Sequence, residues 1–223
     1  MRVDILTLFP EMFSALKVSM LQRGQDKGLI KINIINIRDF SLDKHKKCDD
    51  YPFGGGAGLV MMAQPIADAI KSVDGYQSAI KIYMSPRGQV LKQGKVEQLS
   101  KCEHLIILCG HYEGVDQRVI DKYIDEEISI GDFVLTGGEI PAMALVDSVS
   151  RYIDGVLGNG QSTVDESFSS GLLEYSQYTH PRIFEDVEVP EVLISGNHKK
   201  IEEWRKKDSE AITKLRRPDL LNK

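Results

Sequence analysis

Glycines, carboxylates and one arginine supply most of the chemistry this chain could perform. Ile128 to Met143 (ISIGDFVLTGGEIPAM) and Cys109 to Arg118 (CGHYEGVDQR) each begin where a short apolar run ends in glycine. Two buried strands would therefore finish in loops whose backbone can approach a ligand closely. Gly110, Gly114, Gly131, Gly137 and Gly138 can adopt backbone angles closed to other residues, and a helix opens near Pro141. The alternative is that these are plain tight turns. Neither stretch is a phosphate cradle, because the G-x-G-x-x-G fingerprint with its acidic partner about 20 residues on, and the G-K-[ST] of the P-loop, are both absent. A third stretch, Asp49 to Gly58 (DDYPFGGGAG), couples two carboxylates and two aromatics to a glycine hinge. That composition suits a lid closing on a planar substrate. Arg151 and the adjacent acids Asp165 and Glu166 complete the candidates. From the residues alone, Arg151 reads as half of an exposed i, i+4 ion pair with Asp147, and the two acids read as solvated linker charges.

The elements that must position these residues alternate. Val3 to Phe9 reads as a strand, Glu11 to about Gln25 as one helix with Met12, Phe13, Leu16 and Met20 on a face, and Lys31 to Ile37 as a strand. A long loop from about Arg38 to Ala63 carries the lid sequence, and a loop of that length in a compact domain is uncommon unless it is functional or disordered. A helix starts near Pro65. Ile80 to Met84 reads as a strand ending in SPRG, Leu91 to Lys101 as a helix and Leu105 to Cys109 as a strand. Pro141 to Ile153 reads as a helix with Ala142, Leu145, Val146 and Val149 on its apolar face. This is the α/β pattern of a mostly parallel sheet covered by helices. Gly155 to Gly171 has little periodicity and reads as a linker. A mainly helical segment follows, with Ile201, Trp204, Ala211, Ile212 and Leu215 at core spacing.

Composition bounds the function. The 223 residues, 42% hydrophobic, can bury one good core, or one core and a small second domain. No apolar run reaches the roughly 18 residues of a membrane span, and no signal sequence opens the chain, so a soluble cytoplasmic protein is expected. Cys48, Cys102 and Cys109 form no C-x-x-C and read as reduced thiols, with Cys109 in a buried strand. The net charge of −5 hides an asymmetry: from His198 to Lys223, nine basic residues against five acids give +4, which leaves −9 elsewhere. A localised nucleic-acid contact and a solvated Lys-rich helix are both compatible with that division.

In order along the chain, DDYPFGGGAG, SPRG, CGHYEGVDQR, DEEISIGDFVLTGGE, SVSRYIDGVLG, LLEYSQYTHP, VPEVLISGNHKKIEEWR and RRPDLL closely resemble the bacterial tRNA (guanine-37-N1)-methyltransferases of the SPOUT class. The resemblance covers essentially the whole chain. It implies an α/β domain over residues 1–158 with a mostly parallel sheet, helices on both faces and a deep trefoil knot in its carboxyl half. A flexible interdomain linker at 159–171 and a small helical tRNA-binding domain at 172–223 would follow. It also implies a homodimer with the active site at the subunit interface, S-adenosyl-L-methionine as cofactor, the tRNA anticodon stem-loop as partner, and magnesium as a further requirement.

Residue by residue, the resemblance gives the cofactor Tyr83, Met84, Ser85 and Pro86; Gly110, Tyr112, Glu113 and Gly114; Ile130, Gly131, Asp132, Phe133, Val134, Leu135, Gly137 and Gly138; and Pro141. It gives Asp50, Gly55, Gly56, Gly58, Lys199 and Arg205 contacts to substrate, and puts Arg151 near the transferred methyl and guanine O6. The general base falls on Glu166, where the family usually has Asp, and Asp165 one step earlier is the alternative. The family's Thr-Arg-Pro is here Thr179-His180-Pro181, which replaces a fixed positive charge with a titratable ring. A non-catalytic RNA-binding protein on the same fold, and a related enzyme acting on another RNA, are the rival readings.

Overall fold

The computed structural model describes residues 1–157 and 166–221. The chain divides into two compact units, Met1–Gly158 and Asn159–Lys223.

In the first unit the order is β1 (Arg2–Thr7), a 3-10 helix (Pro10–Lys17), α1 (Ser19–Asp26), β2 (Lys31–Asn36), a 3-10 turn (Ile37–Phe40), β3 (Asp49–Asp50), β4 (Val60–Met61) and α2 (Ala63–Ser72). Then come β5 (Ile80–Val90), α3 (Gln93–Ser100), β6 (His104–Cys109), α4 (Gln117–Tyr123), β7 (Glu126–Ser129) and α5 (Glu139–Ser150). A five-stranded parallel sheet has the order β2-β1-β6-β5-β7.

The centre of the sheet is buried on both faces, and the central strand β6 shows why: Leu105 to Cys109 is apolar at every position rather than at alternate ones. On one face the rung Ile5, Ile107 and Ile82 packs with Phe13, Val96, Leu99, Leu145 and Val149, from the first 3-10 helix, α3 and α5. On the other, Leu6, Leu108 and Tyr83 pack with Ile66, Ile70, Val119 and Ile120 from α2 and α4. Ala142, Leu145, Val146 and Val149 are all buried, as the helical spacing predicts, and so is Cys109.

Two expectations are corrected. The helix expected from Glu11 to Gln25 is broken: Val18 is extended and Ser19 takes φ +57. The break re-aims the chain, so that Phe13 and Leu16 bury before it and Leu21 and Gly24 after it, while Met12 stays exposed. Gly24 packs closely there, since a Cβ would lie 3.2 Å from a Val156 methyl and 3.3 Å from an Ile30 methyl. The strand expected to end at Met84 resumes beyond SPRG, with both Met84 and Gln89 opposite Ile128, so Ser85 to Gly88 bulge out of the pairing. Gly88 makes this possible, because a Cβ there would stand 2.4 Å from the backbone of Glu127 and Ile128.

The second unit holds a small antiparallel pair, β8 (Ile183–Phe184) and β9 (Val187–Glu188), then α6 (Glu191–Ile194), α7 (His198–Arg216) and a final 3-10 turn. The core spacing expected of α7 is only partly realised, because Leu215 is 81% exposed and Thr213 is the buried residue. Polar side chains join α7 to the preceding segment instead. Thr213 Oγ1 accepts the Leu173 N–H at 2.9 Å, Asp208 accepts the Ser176 N–H at 2.7 Å, and Ser209 donates to the Leu173 carbonyl. No described helix is long and apolar enough to cross a membrane.

The buried face of α5 generates a stability prediction. Leu145→Ala removes a fully buried side chain from the larger core and should cost about 2–5 kcal/mol, read as a lower urea midpoint for the first unit.

Candidate active site

The carboxyl ends of β5, β6 and β7 form one crevice. The connection from β5 through α3 returns on one side of β5, and the chain from β6 through α4 crosses to the other. Strand ends that diverge in this way leave an opening where ligands bind. Here the bulge after β5, the loop after β6 and the loop after β7 enclose a cavity of about 240 Å³.

Its lining includes Tyr83, Met84, Ser85 and Pro86 from β5, and Gly110, Tyr112, Glu113 and Gly114 after β6. Ile130, Phe133, Val134, Leu135, Gly137 and Gly138 line it after β7, and Pro141 at the start of α5. These expected cofactor residues are thus brought together from segments far apart in sequence. Gly131 and Asp132 are not in the lining: Gly131 (φ +153) turns the loop behind Phe133, and Ser129 Oγ accepts its N–H at 3.2 Å and donates to its carbonyl at 2.9 Å.

Backbone meets backbone at the centre of the wall. The Gly138 N–H donates to the Gly110 carbonyl at 2.8 Å, and a Cβ on Gly138 would lie 2.8 Å from Cys109 Cα and from the Gly110 nitrogen. Gly110 in turn leaves room for the Tyr83 ring, whose hydroxyl would be 2.7 Å from a Cβ. Burial, with the Glu127 carboxylate adding and Arg87 opposing, pushes the Tyr83 phenol up to about 12, so it remains a neutral donor at physiological pH. Burial first and the Glu139 carboxylate second hold the Cys109 thiol well above its usual range, which rules it out as a thiolate nucleophile.

Residues that sequence reading missed also build the site. Arg87, Val115, Ile120, Ile128 and Ser129 line the cavity, and adjacency to the glycine motifs was the signal for most of them; His111 and Thr136, inside the expected loops, line it too. Glu139, 1% exposed, accepts a hydrogen bond from Thr7 Oγ1 at 2.8 Å. Its other oxygen would be 2.4 Å from a Cβ on Gly137, and His111 Nδ1 2.7 Å from the same point. The glycine therefore lets the loop lie directly on a buried carboxylate and an imidazole.

The lid sequence is a hairpin attached to this wall. β3 and β4 pair antiparallel, with Asp50 opposite Val60, and Gly54, Gly55, Gly56 and Gly58 between them all have positive φ. Met61 donates to the Gly114 carbonyl at 2.9 Å and Glu113 to the Leu59 carbonyl at 3.0 Å. Gly58 lies against Glu113, 2.6 Å from its Oε1 if it carried a Cβ. Tyr51 and Phe53 stand in solvent at 79% and 101% exposure. Hydrogen bonds from the Tyr51 N–H and from Lys47 hold Asp50 below the usual carboxylate range, so it is ionised at neutral pH.

The structure does not bring every candidate to the cavity. Arg151 caps the far end of α5, ten residues beyond the lining residue Pro141. At about 1.5 Å per residue, roughly 15 Å of helix separates them. Glu166 belongs to the second unit, where its carbonyl accepts from the Ser169 N–H at 3.2 Å in a turn that runs to Gly171. Asp165 lies outside the described residues. Lys199 and Arg205 are on α7, with the Arg205 guanidinium 4.7 Å from the centre of the Tyr175 ring. Among the described residues no group of three or more His, Cys, Asp or Glu side chains could hold a metal ion.

A parallel α/β sheet with a cavity at its strand ends, walled by glycine backbone and apolar side chains, defines a protein that binds a cofactor-sized molecule at a topological switch point. The pattern of one family, tRNA (Guanine-1)-methyltransferase TrmD, matches residues 1–223. A tRNA (guanine-N(1)-)-methyltransferase of Ruminiclostridium cellulolyticum is 57% identical, covering 100% of this chain and 97% of the relative. One of Clostridium acetobutylicum is 56% identical over 100% of this chain and 92% of its own, and one of Clostridium perfringens 55% identical over 100% and 94%. The chain belongs to the tRNA (guanine-1)-methyltransferase family.

The backbone contact at Gly138 gives a sharp expectation. Gly138→Ala meets main-chain atoms that cannot swing aside, so it should fold but bind S-adenosyl-L-methionine at least about tenfold more weakly by calorimetry, one lost contact's worth. Unchanged affinity would mean that the wall at Gly138 is not part of the binding surface.

Proposed function

We propose that this chain transfers the methyl group of S-adenosyl-L-methionine to N1 of guanine-37, next to the anticodon of tRNA, as a homodimer in the cytoplasm. The observation that carries this reading is the cavity at the ends of β5, β6 and β7 in a chain that matches the family from end to end.

The chemistry of the cavity lining suits the cofactor. Loop amides and carbonyls, with the apolar Ile130, Leu135 and Pro141, suit an adenine read along its edges, and Glu113 offers a carboxylate to the cationic methionine part. When bound, that cofactor supplies an electrophilic methyl on a sulfonium. The chain's residues must then manage a proton and a charge. Guanine N1 carries a proton and is a poor nucleophile until it is removed. As the N1–carbon bond forms and the carbon–sulfur bond breaks, the N1 proton passes to a carboxylate, and negative charge developing on O6 needs a fixed cation. Glu166 takes the first role and Arg151 the second. The hairpin with Tyr51 and Phe53 clamps the extruded base, and Asp50, Gly55, Gly56 and Gly58 shape its seat. Magnesium stays a further requirement that the resemblance implies.

A shared site is compatible with this geometry: in a two-fold dimer the cavity and Arg151 of one chain can face the Glu166 segment of the other. The cavity wall also shows apolar surface to solvent, with Val134 81% and Phe133 54% exposed, as expected of a face that a second copy covers. The reading includes the trefoil knot, for which the return of the Ile130 to Gly138 loop onto the end of β6 is the supporting contact.

The test is unmodified tRNA carrying guanine at 36 and 37 with labelled cofactor, followed by nucleoside analysis. The expected product is 1-methylguanosine at 37. Label on ribose or at another position would transfer the chain to the rival RNA targets, and tight binding without label to the non-catalytic reading.

Glu166→Ala should lower kcat by at least about 10²-fold with cofactor affinity nearly intact, the size expected for loss of a general base. Asp165→Ala should do much less, and Glu166→Asp should remain active. A crippling Asp165→Ala with a mild Glu166→Ala would move the base one residue earlier. In mixed dimers, an Arg151→Ala chain with a Glu166→Ala chain should recover activity that neither homodimer has. No recovery despite subunit exchange would put both residues in one chain's site.

A further inference from the structure

The second unit contains a cavity of its own, of about 360 Å³, bounded by the Tyr175 to Arg182 segment, α6 and the first turns of α7. Its size falls within the roughly 300–1,000 Å³ of small-molecule sites. Tyr175, Tyr178, His180, Arg182 and Arg205 lie in its lining, Ile201 contributes apolar surface, and no carboxylate does. Arg182 is neutralised by Glu188 at 2.7 Å. Arg205 has no such ion pair among the described residues: its guanidinium stacks on Tyr175 at 4.7 Å. Tyr178 is 47% exposed, and its ring stands 6.2 Å from that of Trp204 at 60°.

We infer that this cavity is a subsite for one unstacked nucleotide of the RNA, distinct from the target guanine, and that its base stacks on Tyr178 and Tyr175 beside Arg205. The inference rests on the reading of the chain as a tRNA methyltransferase and extends it to a second point of recognition. Half-exposed aromatic rings next to an arginine plane are what single-stranded bases stack on, and such surfaces accept any base because each has a π face. Charge decides between occupants. A second copy of this chain could also cover an aromatic cavity, but a symmetric contact would set the lysines at 199, 200, 206 and 207 of one copy against the same lysines of the other, whereas a nucleic acid brings phosphates to them. A backbone phosphate on either side of the seated base would be met by that charge.

Trp204 is the chain's single tryptophan, so intrinsic fluorescence reports directly on the neighbourhood of Tyr178. The full-length enzyme is titrated with an intact tRNA transcript and with transcripts that each carry one abasic nucleotide in the anticodon arm. Intact RNA should quench Trp204. One abasic position other than 37 should restore the emission and weaken binding about tenfold, the size of one base–aromatic stack. Tyr178→Leu should weaken intact RNA by a similar factor and make that position indifferent, while the abasic series requires no change to the protein. If intact RNA is methylated but no abasic position beyond 37 alters emission or affinity, the subsite is overturned and the enzymatic reading stands. If intact RNA is bound and not methylated, the enzymatic reading falls and the abasic scan still decides the subsite. Emission that depends on protein concentration without RNA would assign the cavity to a second copy and overturn the proposal.

Discussion

The approach of two main chains at Gly138 and Gly110 organises the site. A hydrogen bond of 2.8 Å joins them, and no side chain could be accommodated between Gly138 and the end of β6. That contact fixes where the loop after β7 returns, and with it the start and direction of α5. It also carries Glu139 beneath the cavity wall, where Thr7 from β1 satisfies one oxygen. An unpaired carboxylate in such a position would be expensive, so the hydroxyl on the neighbouring strand and the loop's fold are mutually dependent. The glycine pair therefore links the cavity's shape to the sheet's central strands.

Strand order explains why the loops converge. β5 is flanked by β6 on one side and β7 on the other, so their ends open on opposite flanks of the same strand. The bulge at Ser85 to Gly88 extends this arrangement by lifting four residues out of the pairing toward the cavity before Gln89 resumes it. A straight strand would have kept Ser85 and Pro86 in the plane of the sheet. Gly88 is the steric condition for the bulge, since its backbone lies against that of Glu127 and Ile128.

The central strands and α5 were legible because they are long apolar runs or have strict helical spacing, and both signals are local. The break at Val18 and Ser19 was not, because it serves burial of residues on either side of the break against elements elsewhere in the chain. SPRG reads as punctuation in sequence, and only its neighbour β7 makes the strand continue beyond it. The glycine loops announced a ligand site, yet His111 and Glu139 carried no signal of their own, since their role comes from facing one glycine from different segments. The resemblance supplied the expected cofactor residues, and for fifteen of them the fold supplies the reason they share a cavity.

The second unit follows different physics. Thr213 is its one buried residue among those described, and Ile183, Phe184, Val187 and Leu215 remain largely in solvent. Side-chain to backbone hydrogen bonds from Asp208, Ser209 and Thr213 set the path of Leu173 to Ser176 along α7. Such bonds specify geometry well, but each contributes only about 1 kcal/mol net. A unit held this way has little apolar burial to resist opening. The glycine-walled cavity of the first unit instead sits on two buried apolar clusters, which resist opening. That division suits the proposed reaction, in which a small cofactor must be held in one geometry while a large polyanion is gripped through its phosphates.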